Sequence, residues 1–218
     1  MNTCQSTTKI VVGIDFGTTA TRVSHAAWGG REPDISQVGH VFFGPGKISI
    51  PSKLAYKDGA IRWGEAADTE YPCHVSIKHL LNGMLDQETI ANTPQFAGLE
   101  TLQLPADMTP QQIIGDFLRT LRGHILEQLA SSYHEKGLSV EYYFTVPAAW
   151  SEDGQTRMRE AITIAGYGTR VFFISEAEAA VVFLQKAMPG LLPMGHYLVC
   201  DVGGGTTNYN ILTAASGM

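Results

Sequence analysis

Two segments of this chain carry nearly the same pattern: Gly13-Ile14-Asp15-Phe16-Gly17-Thr18-Thr19 near one end and Cys200-Asp201-Val202-Gly203-Gly204-Gly205-Thr206-Thr207 near the other. Each puts a carboxylate at the end of an apolar, β-branched run, directly before a turn of residues with little or no side chain. Successive backbone N–H groups in such a turn form an anion-binding concavity, Thr hydroxyls add donors, and the missing side chains let phosphate oxygens approach the main chain. A polyphosphate also brings Mg²⁺, which keeps several waters and takes only one or two carboxylates. Asp15 and Asp201 suit such a hydrated ion, held from two sides. Either turn alone is equally an ordinary hairpin, because Asp and Gly favour turns for local reasons. The pattern occurring twice, each time with a Thr pair, favours phosphate. Neither G-x-x-x-x-G-K-[ST] nor G-x-G-x-x-G before a helix occurs, so P-loop and Rossmann chemistry lack support.

The segments between the two turns alternate strands and helices. Lys9 to Asp15 and Ala20 to Ala27 read as strand, turn and strand; Lys53 to Tyr56 and Ala60 to Trp63 read as small strands within a Gly- and Pro-punctuated stretch. Cys73 to Leu85 reads as a helix on the spacing of Val75, Ile77, Leu80, Leu81 and Leu85, with Gly83 in conflict, and Leu99 to Leu104 as a short strand. Thr109-Pro110 caps a long helix whose inner face holds Ile113, Ile114, Phe117, Leu118, Leu121, Ile125 and Leu129. Val140 to Pro147 is a strand ended by its proline, Ser151 caps a helix closed by Gly166 and Gly168, and Arg170 to Ile174 is a strand. Glu176 to Ala187 is a helix, with strands Tyr197 to Asp201 and Asn208 to Leu212 around the second turn. The order implies an α/β fold with a mixed sheet.

The length of 218 residues and a hydrophobic share of 44% allow a sizeable core. A formal charge of −6 with no Lys/Arg cluster excludes nucleic acid as a first choice of partner. Three cysteines without a CxxC pair argue against a disulfide framework or zinc knuckle, and seven scattered histidines against a metal site built on them. No apolar run reaches the roughly 18–20 residues of a membrane helix, and Met1 to Thr8 lacks signal-peptide character. The sequence therefore reads as a soluble, cytoplasmic protein. Trp28, Trp63 and Trp150 suit cores or interfaces.

Five ordered motifs carry a resemblance over essentially the whole chain: IDFGTT at 14–19, YFTVPAAW at 143–150, ITIAG at 162–166, ISEAEAA at 174–180 and DVGGGTT at 201–207. They resemble the nucleotide-binding domain of the seventy-kilodalton heat-shock (DnaK-type) chaperones, and TVPAAW and MREA are similar to its divergent cytosolic heat-shock-like ATPases. The resemblance implies a ribonuclease-H-like, actin-type lobe with a mixed five-stranded sheet, flanking helices and a small insertion subdomain near residues 39–107. It implies ATP and Mg²⁺ as ligands. Asp15, Gly17, Thr18 and Thr19 match the first phosphate loop; Asp201, Gly203, Gly204, Gly205 and Thr206 match the second; Asp15 and Asp201 would face Mg²⁺ through water. Lys78 matches the family's catalytic lysine, Glu176 the carboxylate near the attacking water, and Asp201 completes the catalytic set. Pro147 matches a relay proline. Phosphoryl transfer of this kind needs positioning and charge compensation more than covalent help. Taken singly, Lys78 is also a solvated helix charge, Glu176 a dipole-favoured acid at a helix start, and Pro147 a strand stop.

Two departures bear on activity. The family has an acid where this chain has Asn208, which puts hydrolysis, more than binding, in doubt. The sequence ends at Met218, short of the family's second lobe and peptide-binding domain, which leaves Asn208 to Leu212 as an expected unpaired edge. The function expected is therefore ATP binding by a chaperone-type ATPase domain, with hydrolysis as ancestral activity. Two alternatives stay open: a non-catalytic module that binds co-chaperones or relatives, and a sugar or carboxylate kinase of the same superfamily; unfolded polypeptide is an expected partner only through the family's peptide-binding domain.

Overall fold

A strand with strict in-out alternation starts the sheet. In β1 (Lys9–Phe16), Ile10, Val12, Ile14 and Phe16 are buried on one face, while Val11, Gly13 and Asp15 look the other way. The computed structural model describes residues 9–29, 34–69, 73–74, 77–81, 107–133, 139–192, 195–204 and 207–214. The further elements are β2 (Ala20–Trp28), β3 (Gly39–His40), β4 (Ser49–Pro51), β5 (Leu54–Lys57), β6 (Ala60–Trp63) and β7 (Cys73–His74). They continue with α1 (Pro110–Tyr133), β8 (Ser139–Val146), α2 (Glu152–Ile164), β9 (Val171–Ser175), α3 (Glu176–Ala187), β10 (Gly195–Val202) and β11 (Thr207–Ala214).

The main sheet runs β3-β2-β1-β8-β9, antiparallel between β1 and β2 and parallel from β1 through β8 to β9. The mixed α/β class expected from the sequence is therefore the observed one. The sheet has six strands rather than five, because the short strand β4 also pairs with β2. The β10–β11 hairpin does not join it: these strands form a separate two-stranded sheet, and β5–β7 a three-stranded one.

The long helix α1 starts as its cap chemistry dictates, with Thr109 N–H donating to Gln112 Oε1 at 2.7 Å and Pro110 in the first helical position. Its apolar face is the expected one, from Ile113 to Leu129, all buried. Ser151 Oγ accepts from Gly154 N–H at 3.1 Å to cap α2, whose Met158, Ala161 and Ile162 are buried. Both helices contribute to one core with the inner faces of β1 and β8.

Among its described residues, 73–74 and 77–81, the segment Cys73 to Leu85 does not form the expected α-helix. Cys73 and His74 pair with β5, and Ile77–Leu81 is a 3-10 turn in which Ile77, Leu80 and Leu81 are all buried. Packing against α1 governs this segment, so its apolar residues are buried together without an α-helical face. Leu85 and the expected strand Leu99 to Leu104 lie outside the described residues.

His25, on β2, ties the sheet to the end of α1 through a 2.8 Å hydrogen bond between its Nδ1 and the Tyr133 hydroxyl. Burial first, and the nearby His40 second, hold the His25 imidazole below its ordinary value of 6.5. The unfolded chain then takes up the proton first, so this group's contribution is complete above about pH 6.5 and is lost as pH falls from there toward the folded-state value. Urea midpoints measured from about pH 7.5 down to 5.5 should decline, with a shallower decline in His25→Gln.

Candidate functional site

The outer face of the sheet builds a row of polar side chains across three strands. The β1–β2 register sets Arg22 directly opposite Asp15, with Arg22 Nη1 3.8 Å from Asp15 Oδ2. On the other flank, the β8 side chain Thr145 donates from Oγ1 to Asp15 Oδ1 at 3.0 Å. Gly13, one pleat away on the same face, leaves the space above it open: a Cβ there would touch nothing.

The first glycine turn follows Asp15 and is braced from behind. Gly17 N–H donates to Ala20 O at 3.1 Å, and a Cβ on Gly17 would stand 2.5 Å from that oxygen, so a side chain does not fit. Ser52 holds the turn twice, its Oγ donating to Gly17 O at 2.8 Å and its N–H to Thr19 O at 3.0 Å. The second turn, after Asp201 at the end of β10, meets the first. A Cβ on Gly204 would lie 2.7 Å from both Cγ2 and Oγ1 of Thr19, so the turns touch and a side chain there would force Thr19 to shift. Gly205 and Thr206 lie outside the described residues.

The two turns open onto one cavity of about 850 Å³, within the usual range for small-molecule sites. Asp15, Gly17, Thr18, Thr19, Asp201, Gly203 and Gly204 all line it, as do Lys78 and Glu176, and Ala177, Ala179 and Ala180 of α3 keep its wall low. Lys78 is delivered by the 3-10 turn and Glu176 by the start of α3, whose cap Ser175 Oγ accepts from Glu178 N–H. Their side chains form a 2.7 Å ion pair, 6% and 16% exposed, and Lys78 Nζ lies 5.5 Å from the centre of the Trp150 ring. Thus Lys78 lies on a 3-10 rather than an α-helical turn, and it is not solvated. A second, small cavity of about 90 Å³ joins Thr18, Lys78, His79, Pro147, Trp150 and Asn208.

Every described residue of the expected site therefore borders one hollow. Sequence reasoning missed Arg22, Ser52 and Thr145. Arg22 was findable from a tight turn at residues 18–19, which pairs 17 with 20 and so 15 with 22, and Thr145 from the alternation of its own strand. Nothing local marks Ser52, which follows β4 and reaches the turn only through the tertiary fold.

The chemistry of the donors fits a polyphosphate with a hydrated hard cation: carboxylates, Thr hydroxyls and main-chain N–H groups, with no soft ligand required. Among the described residues no three His, Cys, Asp or Glu side chains gather as an all-protein metal cage. Two carboxylates across one cavity suit an ion that keeps most of its waters. Among the same residues no helix is long and apolar enough to cross a membrane.

No protein-family model matches the chain. Comparison with curated proteins finds the Chaperone protein HscA homolog of Bordetella pertussis, 27% identical over 224 residues, which cover 96% of this chain and 33% of that protein. The HscA homologs of Aliivibrio salmonicida and Pseudomonas putida are each 26% identical over 226 residues, with the same coverage. The chain is similar to the seventy-kilodalton heat-shock chaperones. It spans about a third of the length of these curated relatives. The mixed sheet with its helices agrees with an actin-like heat-shock ATPase lobe.

Proposed function

We propose that this chain binds ATP with Mg²⁺ as the phosphate-holding part of a heat-shock-type chaperone ATPase in the cytoplasm. One observation carries the reading: two Asp–Gly turns far apart in sequence lie in contact, Thr19 against Gly204, and share a cavity with a buried Lys–Glu pair. Amides and hydroxyls of residues 17–19 and 203–206 hold the phosphates, and Asp15 and Asp201 hold waters of the cation's shell. The cation, when bound, neutralises phosphate charge. Lys78 offers its ammonium to the terminal phosphate, and Glu176 keeps that ammonium in place until a phosphate oxygen competes for it. The free thiols Cys73 and Cys200 are compatible with a reducing setting.

Asn208 favours a second reading. It borders the small cavity beside Lys78 and brings an amide where an acid would add charge. In that reading the chain binds nucleotide without turning it over and serves as an interaction module for co-chaperones or relatives.

Calorimetry with Mg²⁺ and ATP tests the site: Asp201→Ala should weaken binding by about tenfold or more, the effect of one lost charge-assisted contact. Identical heats for both proteins would remove the proposed site. Phosphate release from the same samples separates the two readings, since release above background excludes the non-hydrolytic one.

A further inference from the structure

The two basic side chains that line the cavity are in opposite states. Lys78 is closed onto Glu176 at 2.7 Å and almost wholly buried. Arg22 is 59% exposed, and its Nη1 stands 3.8 Å from Asp15 Oδ2, beyond hydrogen-bond distance but within electrostatic reach. Its position is not left to chance. The β1–β2 register holds Arg22 across from Asp15 immediately behind the first glycine turn, so the guanidinium has a fixed root and a free fork of N–H donors. Thr145 already occupies the other Asp15 oxygen. The carboxylate expected to face the cation is thus flanked on one side by a hydroxyl donor and on the other by a positive charge belonging to the protein.

A guanidinium is always charged, is weakly hydrated and matches phosphate oxygens two at a time. The carboxylate it faces is a poorer partner for a divalent ion, because the two cations compete for the same oxygens. Polyphosphate entering the cavity offers Arg22 better acceptors than the loose contact with Asp15.

We propose that Arg22 is a second phosphate-binding cation, supplying from the protein part of the charge that a divalent ion otherwise brings, so that a nucleoside polyphosphate binds here with reduced dependence on the metal. The proposal rests on the reading of this cavity as a nucleotide site. The competing view makes Arg22 an ordinary exposed cross-strand partner of Asp15, with no influence on the ligand.

Calorimetric titration of the 218-residue chain with ADP and ATP, in excess Mg²⁺ and in EDTA, distinguishes them. The wild-type chain should lose less than about tenfold in affinity when the metal is removed, and Arg22→Gln about a hundredfold, the scale of one bidentate charge-assisted pair. Arg22→Lys, which keeps the charge and the long stem, should stay within about threefold of the wild-type ratio. Equal metal ratios in wild type and Arg22→Gln overturn the proposal and leave the nucleotide site standing, as does a lysine variant no better than the glutamine one. A wild-type chain that binds neither nucleotide in either buffer overturns both readings.

Discussion

Phe144→Ala is expected to cost the fold about 3–5 kcal/mol, the range for a large aromatic removed from a closed core. Phe144 is fully buried on β8, the strand paired in parallel with β1 on one side and β9 on the other. Its ring meets Tyr167 edge-on at 5.2 Å, and the Tyr167 hydroxyl donates to Leu118 O of α1 at 3.2 Å. The lost ring therefore leaves a void beside Tyr167, and the sheet, paired on both sides of β8, cannot close it without breaking ladder bonds. The neighbour in sequence, Thr145, faces the cavity and steadies Asp15, so damage to this strand reaches the cavity as well. Urea denaturation reads the effect as a fall in midpoint at constant slope. A loss below about 1 kcal/mol would contradict the packing described.

Lys78→Ala should cost about 3 kcal/mol and also remove nucleotide binding. The substitution leaves the Glu176 carboxylate, 16% exposed, without its cation, and strips the Trp150 face of the ammonium it now carries. The larger part of the stability loss comes from that stranded charge rather than from the attraction itself. The double substitution Lys78→Met with Glu176→Leu should therefore recover most of the stability, because both charges leave the interior together. It should not recover affinity for ATP, since the ammonium is gone. Thermal melting and calorimetry on the three proteins check both halves; a double variant as unstable as Lys78→Ala would show that the pair holds the fold by direct attraction.

Where local rules act alone, the sequence reads correctly. Thr109-Pro110 and the 3.6-residue spacing from Ile113 to Leu129 define α1, because cap and face lie within one continuous segment. Glu176–Ala187 follows from its Ser175 cap in the same way. The segment after Cys73 fails for the opposite reason: its apolar residues are close enough to helical spacing to suggest an α-helix, yet pairing with β5 and burial against α1 impose a strand and a 3-10 turn. The sixth strand of the sheet, β4, is three residues long and has no pattern of its own apart from its partner β2.

The composition of the two turns, which suits phosphate, was written in the sequence, since small residues, hydroxyls and an acid at a strand end keep their character wherever the strand goes. Their meeting was an expectation from the repeat of the pattern, and the contacts that bring it about belong to the tertiary fold. Contact between Thr19 and Gly204, the support of Ser52 behind the first turn and the closure of Lys78 onto Glu176 all join residues brought together by core packing. Such pairings depend on which buried faces must close against one another, a condition that only the whole chain satisfies and that no single segment encodes.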